Sequence, residues 1–194
     1  MTPQTTTAHL EVPVITDHDA LCYWIGENLE FPITDQQLED GYGRLGRNDQ
    51  GWFLFNLMKN WAITSAQVAR YAGDAWSSCE YPDRMMEHEC WAELFERAGF
   101  TIDGVRSPLP TEPVRLYRGS VPERRTDWSW TDNLDVAQGY ADGTRALREP
   151  GKVWTTLAPP SAMLARNSDR DEHEWVINTA GLVIELFDPA RHDR

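Results

Sequence analysis

The chain has 194 residues, of which 41% are hydrophobic and 25% charged, enough for one compact hydrophobic core. No run of about 18 apolar residues occurs, which excludes a membrane-spanning helix. The net charge of −13 disfavours general binding to nucleic-acid phosphates. The three cysteines are widely spaced and form no C-x-x-C pair, which predicts reduced thiols in a cytoplasmic protein and no metal site.

The N-terminal half is predicted to be helical. Residues 1–15 are polar and Thr-rich, with neither a basic nor an apolar signal segment, and we expect them to be flexible. Residues 16–110 contain apolar residues at helical spacing and are predicted to form a helical region. The predicted helix starts are Thr16 or Asp17, Thr34 with Gln37 as a capping box, the apolar segment 52–60, Thr64 or Ser65, and Asp83 for a last helix that ends at Gly99.

The C-terminal half, residues 111–194, is predicted to be a β core. Short β-prone segments separated by Gly and Pro predict strands at 113–118, 127–131, 152–157, 173–178 and 182–187, whereas 161–172 resembles a loop. Residues 133–142 predict one helix, capped by Asp132 or Asn133. The expected fold class is therefore α+β, with N-terminal helices followed by a mostly antiparallel sheet.

Three short motifs of this half carry groups suited to catalysis. Arg118 and Gly119 end the first strand in LYRGS, and Ser129 is followed by Thr131 in WSWT. The third motif is EHEWVI, which contains Glu172 and Glu174. Trp128 and Trp130 alternate with Ser129, so both are expected in the core on the face opposite the hydroxyl, and His173 is expected to face away from the two glutamates.

These residue types suit cleavage at an anomeric carbon that bears a cationic leaving group. One carboxylate stabilises the oxocarbenium-like state, and a second carboxylate two residues away on a strand points to the same side and activates a nucleophile. An arginine binds a pyrophosphate through two hydrogen bonds, and a glycine beside it lets a planar ligand approach the backbone. A small hydroxyl between them positions both the carboxylate and the ribose.

In this order the motifs resemble the R–S–E signature of the cholera-toxin-like class of ADP-ribosyltransferases, over about residues 111–190. The helix NLDVAQGYADG, the segment GKVWTTLAPPSAM, the loop ARNSDRD and the last strand LVIEL also match the order of elements in that family. The resemblance implies a split β-sheet core that binds NAD as a substrate and needs no metal.

The resemblance also implies a role for each matched residue. Arg118 would hold the NAD phosphates or ribose, and the Gly119 backbone would hold the nicotinamide carboxamide. Ser129, supported by Thr131, would orient Glu174, which would bind the ribose 2′-hydroxyl and stabilise the oxocarbenium ion. Glu172 would have a catalytic role, the activation of the acceptor. Tyr140 would either stack on nicotinamide or pack in the core.

The expected function is that of a mono-ADP-ribosyltransferase acting on a macromolecular or small-molecule acceptor, with an arginine-like side chain favoured. An NAD glycohydrolase, which uses water as acceptor, is the alternative within the same chemistry. A non-catalytic module of phage or mobile-element origin that binds a host target remains a third possibility, because residues 1–110 carry seven basic and seventeen acidic residues. A toxin or effector role would differ in biology but not in chemistry.

Overall fold

The computed structural model describes residues 11–145, 149–168 and 173–189. Its α+β architecture confirms the expected fold class, because helices come first and a mostly antiparallel sheet follows. The helices are α1 (His18–Asn28), α2 (Asp35–Tyr42), α3 (Gln50–Lys59), α4 (Ser65–Ser78), α5 (Pro82–Met85), α6 (His88–Ala98) and α7 (Leu134–Ala141). The strands are β1 (Thr101–Ile102), β2 (Val105–Arg106), β3 (Val114–Ser120), β4 (Ser129–Thr131), β5 (Lys152–Ala158), β6 (Met163–Asn167), β7 (Glu174–Ile177) and β8 (Glu185–Leu186).

Most of the predicted helix starts are confirmed, because local side-chain caps determine them. Asp17 rather than Thr16 caps α1, and Asn133 rather than Asp132 caps α7. Thr34 and Thr64 each form a complete capping box with the glutamine three residues later. Helix α6 ends at Gly99, whose φ of 72° suits glycine.

The predicted cap at Asp83 is wrong. Pro82 starts the four-residue helix α5, Asp83 lies inside it, and α6 begins only at His88. The Asp83 carboxylate instead accepts a hydrogen bond from the backbone N–H of Trp128 at 3.0 Å. This contact ties the helical region to the residue that immediately precedes β4.

The eight strands form one sheet in the order β2-β1-β6-β7-β4-β3-β5-β8, with β1 and β6 as its parallel pair. The predicted loop 161–172 is wrong for residues 163–167, which form β6, where fully buried positions alternate with half-buried ones. The β1–β2 hairpin lies within the segment predicted to be helical. Strand β8 covers two exposed residues of the longer strand predicted at 182–187.

The sheet is divided between β3 and β4. Strand β3 pairs with β5 along its whole length, whereas its described pairing with β4 joins Tyr117 to Thr131 alone. A five-stranded part and a three-stranded part therefore diverge beyond this pair, and a gap opens beside the C-terminal end of β3. Helix α7 packs directly over β3 and β5 at this gap.

The helical region and the sheet share one hydrophobic core. Trp128, Ala165 and Val176 from the sheet half belong to the same buried cluster as the side chains of α1, α3, α4 and α6. A second cluster, which includes Leu116, Trp130 and Trp175, covers the other face of the sheet. Among the described residues, none of the helices combines the length and apolar character needed to cross a membrane.

Candidate active site

A cavity of about 520 Å³ lies where the two parts of the sheet diverge. This volume is within the range of small-molecule and cofactor sites, about 300–1,000 Å³. Every site residue predicted from the sequence and described by the structure lines it: Arg118, Gly119, Ser129, Thr131, Tyr140 and Glu174. These residues come from β3, β4, α7 and β7, so the fold brings together groups that are as many as 56 positions apart in the sequence.

Glu174 is the first residue of β7 and pairs with Thr131 of β4. Its side chain is largely buried, with a residue exposure of 9%. Its Oε2 accepts a hydrogen bond at 3.1 Å from the Nδ2 of Asn167, and the same Nδ2 donates to the carbonyl of Gly73 at 3.2 Å. Among the described residues, the carboxylate is therefore held at a defined position by a buried amide and forms no ion pair.

Ser129 is the first residue of β4 and pairs with Val176 of β7. Its Oγ accepts a hydrogen bond from the indole N–H of Trp76 in α4, at 2.9 Å. Because alternate residues of a strand share a face, Ser129, Thr131 and the cross-strand partner Glu174 all point to the helical side of the sheet. The predicted grouping of hydroxyl and carboxylate is present in the fold.

Arg118 is buried, with 8% exposure, and its guanidinium contacts protein groups around the gap. It donates to the carbonyls of Arg124 at 2.9 Å and Ser129 at 2.5 Å, and to the Asp127 carboxylate at 2.9 Å. Arg124 binds the same carboxylate at 2.7 Å. In the described conformation, Arg118 therefore fixes the connection from β3 to β4 as well as lining the cavity.

Gly119 is required by the packing of α7. A Cβ at this position would lie 2.0 Å from the carbonyl oxygen of Ala137 and 2.5 Å from the nitrogen of Ala141. The space expected to receive a planar ligand is therefore filled, on this side, by the helix backbone. The Gly119 backbone still borders the cavity beside the point where β3 and β4 separate.

Thr131 and Tyr140 connect the cavity to α7. The Thr131 hydroxyl accepts a hydrogen bond at 3.1 Å from the backbone N–H of Asn133, which caps the helix. Tyr140 lies in the last turn of α7, half-buried at the cavity wall. Its position is compatible with either of the two roles expected for it, a ligand contact or packing, and does not decide between them.

One expectation based on strand alternation, the face of Trp128, is wrong, and the one for His173 loses its premise. Trp128 precedes β4 and lies on the helical side, where its ring stacks on Trp76 with centroids 5.7 Å apart and on His88 at 4.4 Å. Trp130 does lie on the face opposite Ser129, as expected. His173 is outside β7 and has a left-handed φ of 48°, so alternation cannot assign a side to His173 or to Glu172. Glu172 lies outside the described residues.

The contribution of the helical region to the cavity was not predicted from the sequence. The cavity wall includes residues 76–83, which run from the last turn of α4 into the start of α5. The contact of Asn167 with Glu174 was also not predicted, because its segment was predicted to be a loop in which Asn167 either contacts the acceptor or has no role. Its 6% exposure at the end of β6 identifies it as a buried polar residue that needs a partner, but only once the structure is known.

The cavity is locally rich in arginine although the chain is acidic. Four arginines line it, against three carboxylates from Glu80, Asp83 and Glu174; the arginines are Arg47, Arg118, Arg124 and Arg145. Arg145 is exposed at the cavity and has no ion pair with any described residue. Arg47 is paired with Glu80, and Arg118 and Arg124 share Asp127, so an anionic ligand that carries phosphates would compete with these carboxylates for three of the four guanidinium groups.

Comparison with known proteins gives no match: no family model, no curated protein sequence and no solved structure is significantly similar to this chain.

Proposed function

We propose that this chain is a mono-ADP-ribosyltransferase that cleaves the bond between nicotinamide and ribose in NAD and transfers ADP-ribose to an acceptor. One observation carries the proposal. Six residues chosen from the sequence by their order and chemistry line a single cavity, at the gap between the two parts of the sheet. Coincidental surface residues would not be expected to converge in this way.

Glu174 is assigned the central chemical role. Cleavage of the nicotinamide bond leaves positive charge on the ribose, and nicotinamide departs as a neutral molecule that needs no acid catalyst. A carboxylate with 9% exposure stabilises that charge more strongly than an exposed carboxylate would, because less water screens it. Ser129, on the same face of the sheet, would donate a hydrogen bond from its hydroxyl group to Glu174 or to the ribose.

The arginines of the cavity are assigned to the pyrophosphate of NAD. Arg118, which the resemblance assigns to this role, would act with Arg124 and the exposed Arg145. Bidentate guanidinium–phosphate hydrogen bonds would place the nicotinamide ribose toward Glu174. The half-buried Tyr140 would then contact the nicotinamide ring or the adjoining ribose.

On sequence grounds, Glu172 is assigned the role of activating the acceptor. The favoured acceptor is an arginine-like side chain. Because His173 has a left-handed φ outside β7, strand alternation does not place Glu172 beside Glu174, and an NAD glycohydrolase, which has no need of Glu172, stays the alternative. The two activities share the cleavage step and differ only in whether water or a second molecule attacks the ribose.

Adenine-labelled NAD, incubated with the purified chain and a cell lysate, separates these possibilities. Transfer predicts a labelled lysate component that disappears with Glu174→Gln, and it predicts that Glu172→Gln reduces labelling more than it reduces nicotinamide release. Nicotinamide release with the label recovered only as free ADP-ribose, and no labelled acceptor, would indicate the glycohydrolase. Equal loss of labelling and release in Glu172→Gln would contradict the role given to Glu172.

A further inference from the structure

Helix α4 is connected to both of the residues that the proposed chemistry needs most, to Ser129 directly and to Glu174 through one side chain. Gly73 and Trp76 are three residues apart on α4, so they lie on the same face of the helix. Gly73 reaches Glu174 through Asn167, and Trp76 reaches Ser129 directly. Neither connection is explained by the R–S–E pattern, because both hydrogen-bond donors, Trp76 and Asn167, come from elements outside its three motifs.

The Gly73 contact depends on the absence of a side chain. A glycine inside a helix is unfavourable, because alanine is the better helix former. A Cβ at this position would lie 2.6 Å from Oδ1 of Asn167, so glycine leaves room for that amide. The amide NH₂ has two protons, and it donates to the Gly73 carbonyl at 3.2 Å and to Glu174 Oε2 at 3.1 Å.

The Trp76 contact fixes the direction of the Ser129 hydroxyl. An indole N–H is a donor only, so Ser129 Oγ must accept this 2.9 Å hydrogen bond and its own proton points elsewhere. Trp76 itself is fully buried and is held by rings on two sides, with Trp91 at 5.0 Å and Trp128 at 5.7 Å between centroids. A donor fixed in this way leaves the hydroxyl proton available to groups in the cavity.

We propose that α4 is the positioning element of this site: the Gly73 carbonyl, through the Asn167 amide, fixes the Glu174 carboxylate, and the Trp76 indole fixes the Ser129 hydroxyl. The inference rests on the proposed NAD chemistry and adds to it the residues that set the geometry. Gly73, Trp76 and Asn167 act through Glu174 and Ser129, so they are positioning residues. Their loss affects the turnover rate more than the affinity for NAD.

The first test is Gly73→Ala, with Gly26→Ala as the matched control. Gly26 lies near the end of α1, is exposed, and has no atom within 4 Å of the position that an added Cβ would take. In Gly73→Ala the methyl group displaces the Asn167 amide, and we expect kcat for nicotinamide release to fall about tenfold or more, because small misplacements of a catalytic group are costly. KM for NAD stays within about threefold, and any fall in Tm is small, because the helix preference of alanine offsets part of the cost of displacing the buried amide. Gly26→Ala keeps kcat.

The second test is Trp76→Phe, with Trp52→Phe as its control. Trp52 lies in α3 outside the cavity, is half-buried, and donates its indole N–H to the Met85 carbonyl at 2.8 Å. Each variant loses one ring and one hydrogen bond, and the larger loss of Tm is expected for the fully buried Trp76. Only Trp76→Phe should also reduce kcat. Unchanged kcat in Gly73→Ala, or the same kcat in Trp76→Phe as in Trp52→Phe, overturns the inference.

Failure of the proposed function is recognised separately. If the wild-type chain releases no nicotinamide, the NAD chemistry fails, and the contacts are then tested by NMR of the ¹⁵N-labelled chain. The Trp76 indole resonance, assigned by its loss in Trp76→Phe, should shift in Ser129→Ala while the Trp91 resonance does not. The Asn167 side-chain amide should likewise shift in Glu174→Gln. Unchanged resonances overturn the positioning role of α4 whatever the substrate.

Discussion

Replacing Gly119 with alanine is expected to force α7 away from β3. The added Cβ would lie 2.0 Å from the carbonyl oxygen of Ala137, whereas ordinary contact begins at 3.4 Å, so the helix must retreat by about 1.4 Å. The Ala141 nitrogen at 2.5 Å opposes the same methyl group. Both obstacles are backbone atoms, which cannot rotate aside as a flexible side chain would.

Overpacking of this kind typically costs about 1–3 kcal/mol, and rigid backbone on both contacts favours the upper end. In a chain of this size, about 3 kcal/mol corresponds to a fall in Tm of roughly 6–12 °C. Thermal unfolding followed by circular dichroism measures this directly, with Gly26→Ala as the control that adds the same methyl group in open space. A Tm for Gly119→Ala within about 2 °C of wild type would refute the packing role.

Two further predictions concern charge and burial. Arg118 and Arg124 share the Asp127 carboxylate, at 2.9 and 2.6 Å, and Asp127→Asn removes its charge. The free energy of unfolding, measured by urea titration, should fall by about 2–4 kcal/mol because two largely buried guanidinium groups lose their counter-ion. A change below about 0.5 kcal/mol would contradict this. Burial, followed by the charges of Asp19 and Asp17, raises the pKa of Cys22 from 9.0 to about 12, so fewer thiolates form at any pH below that value. At pH 8 its alkylation by iodoacetamide should be slower by about tenfold or more in the folded chain than in urea, measured by mass spectrometry; equal rates would refute the shielding of this half-buried thiol.

The features that the sequence predicts well are those fixed by neighbouring residues. The capping boxes at Thr34 and Thr64 and the stop at Gly99 each depend on a few adjacent positions, and all are present in the fold. The α+β order of elements follows from hydrophobic periodicity in the same way. Asp83 failed as a cap because Pro82, one position earlier, starts a separate short helix.

The features that the sequence does not predict depend on distant contacts. Asn167 and the Gly73 carbonyl are 94 residues apart, and Ser129 and Trp76 are 53 apart, so no local pattern marks either contact. Strand β6 was missed because Arg166 and Asn167 give it a polar end that resembles a loop. Trp128 was assigned to the wrong face because the exact start of β4 determines where alternation begins.

The most direct test of the central claim is nicotinamide release from NAD by the purified chain, compared with Glu174→Gln and Glu185→Gln. Glu185 is an exposed strand residue at the edge of the sheet, outside the cavity, so its variant removes the same charge without touching the site. We expect release by the wild type and by Glu185→Gln, and a loss of about 10²-fold or more in Glu174→Gln with Tm unchanged. No release by the wild type, or equal rates for all three chains, would contradict the assignment of this cavity to NAD cleavage.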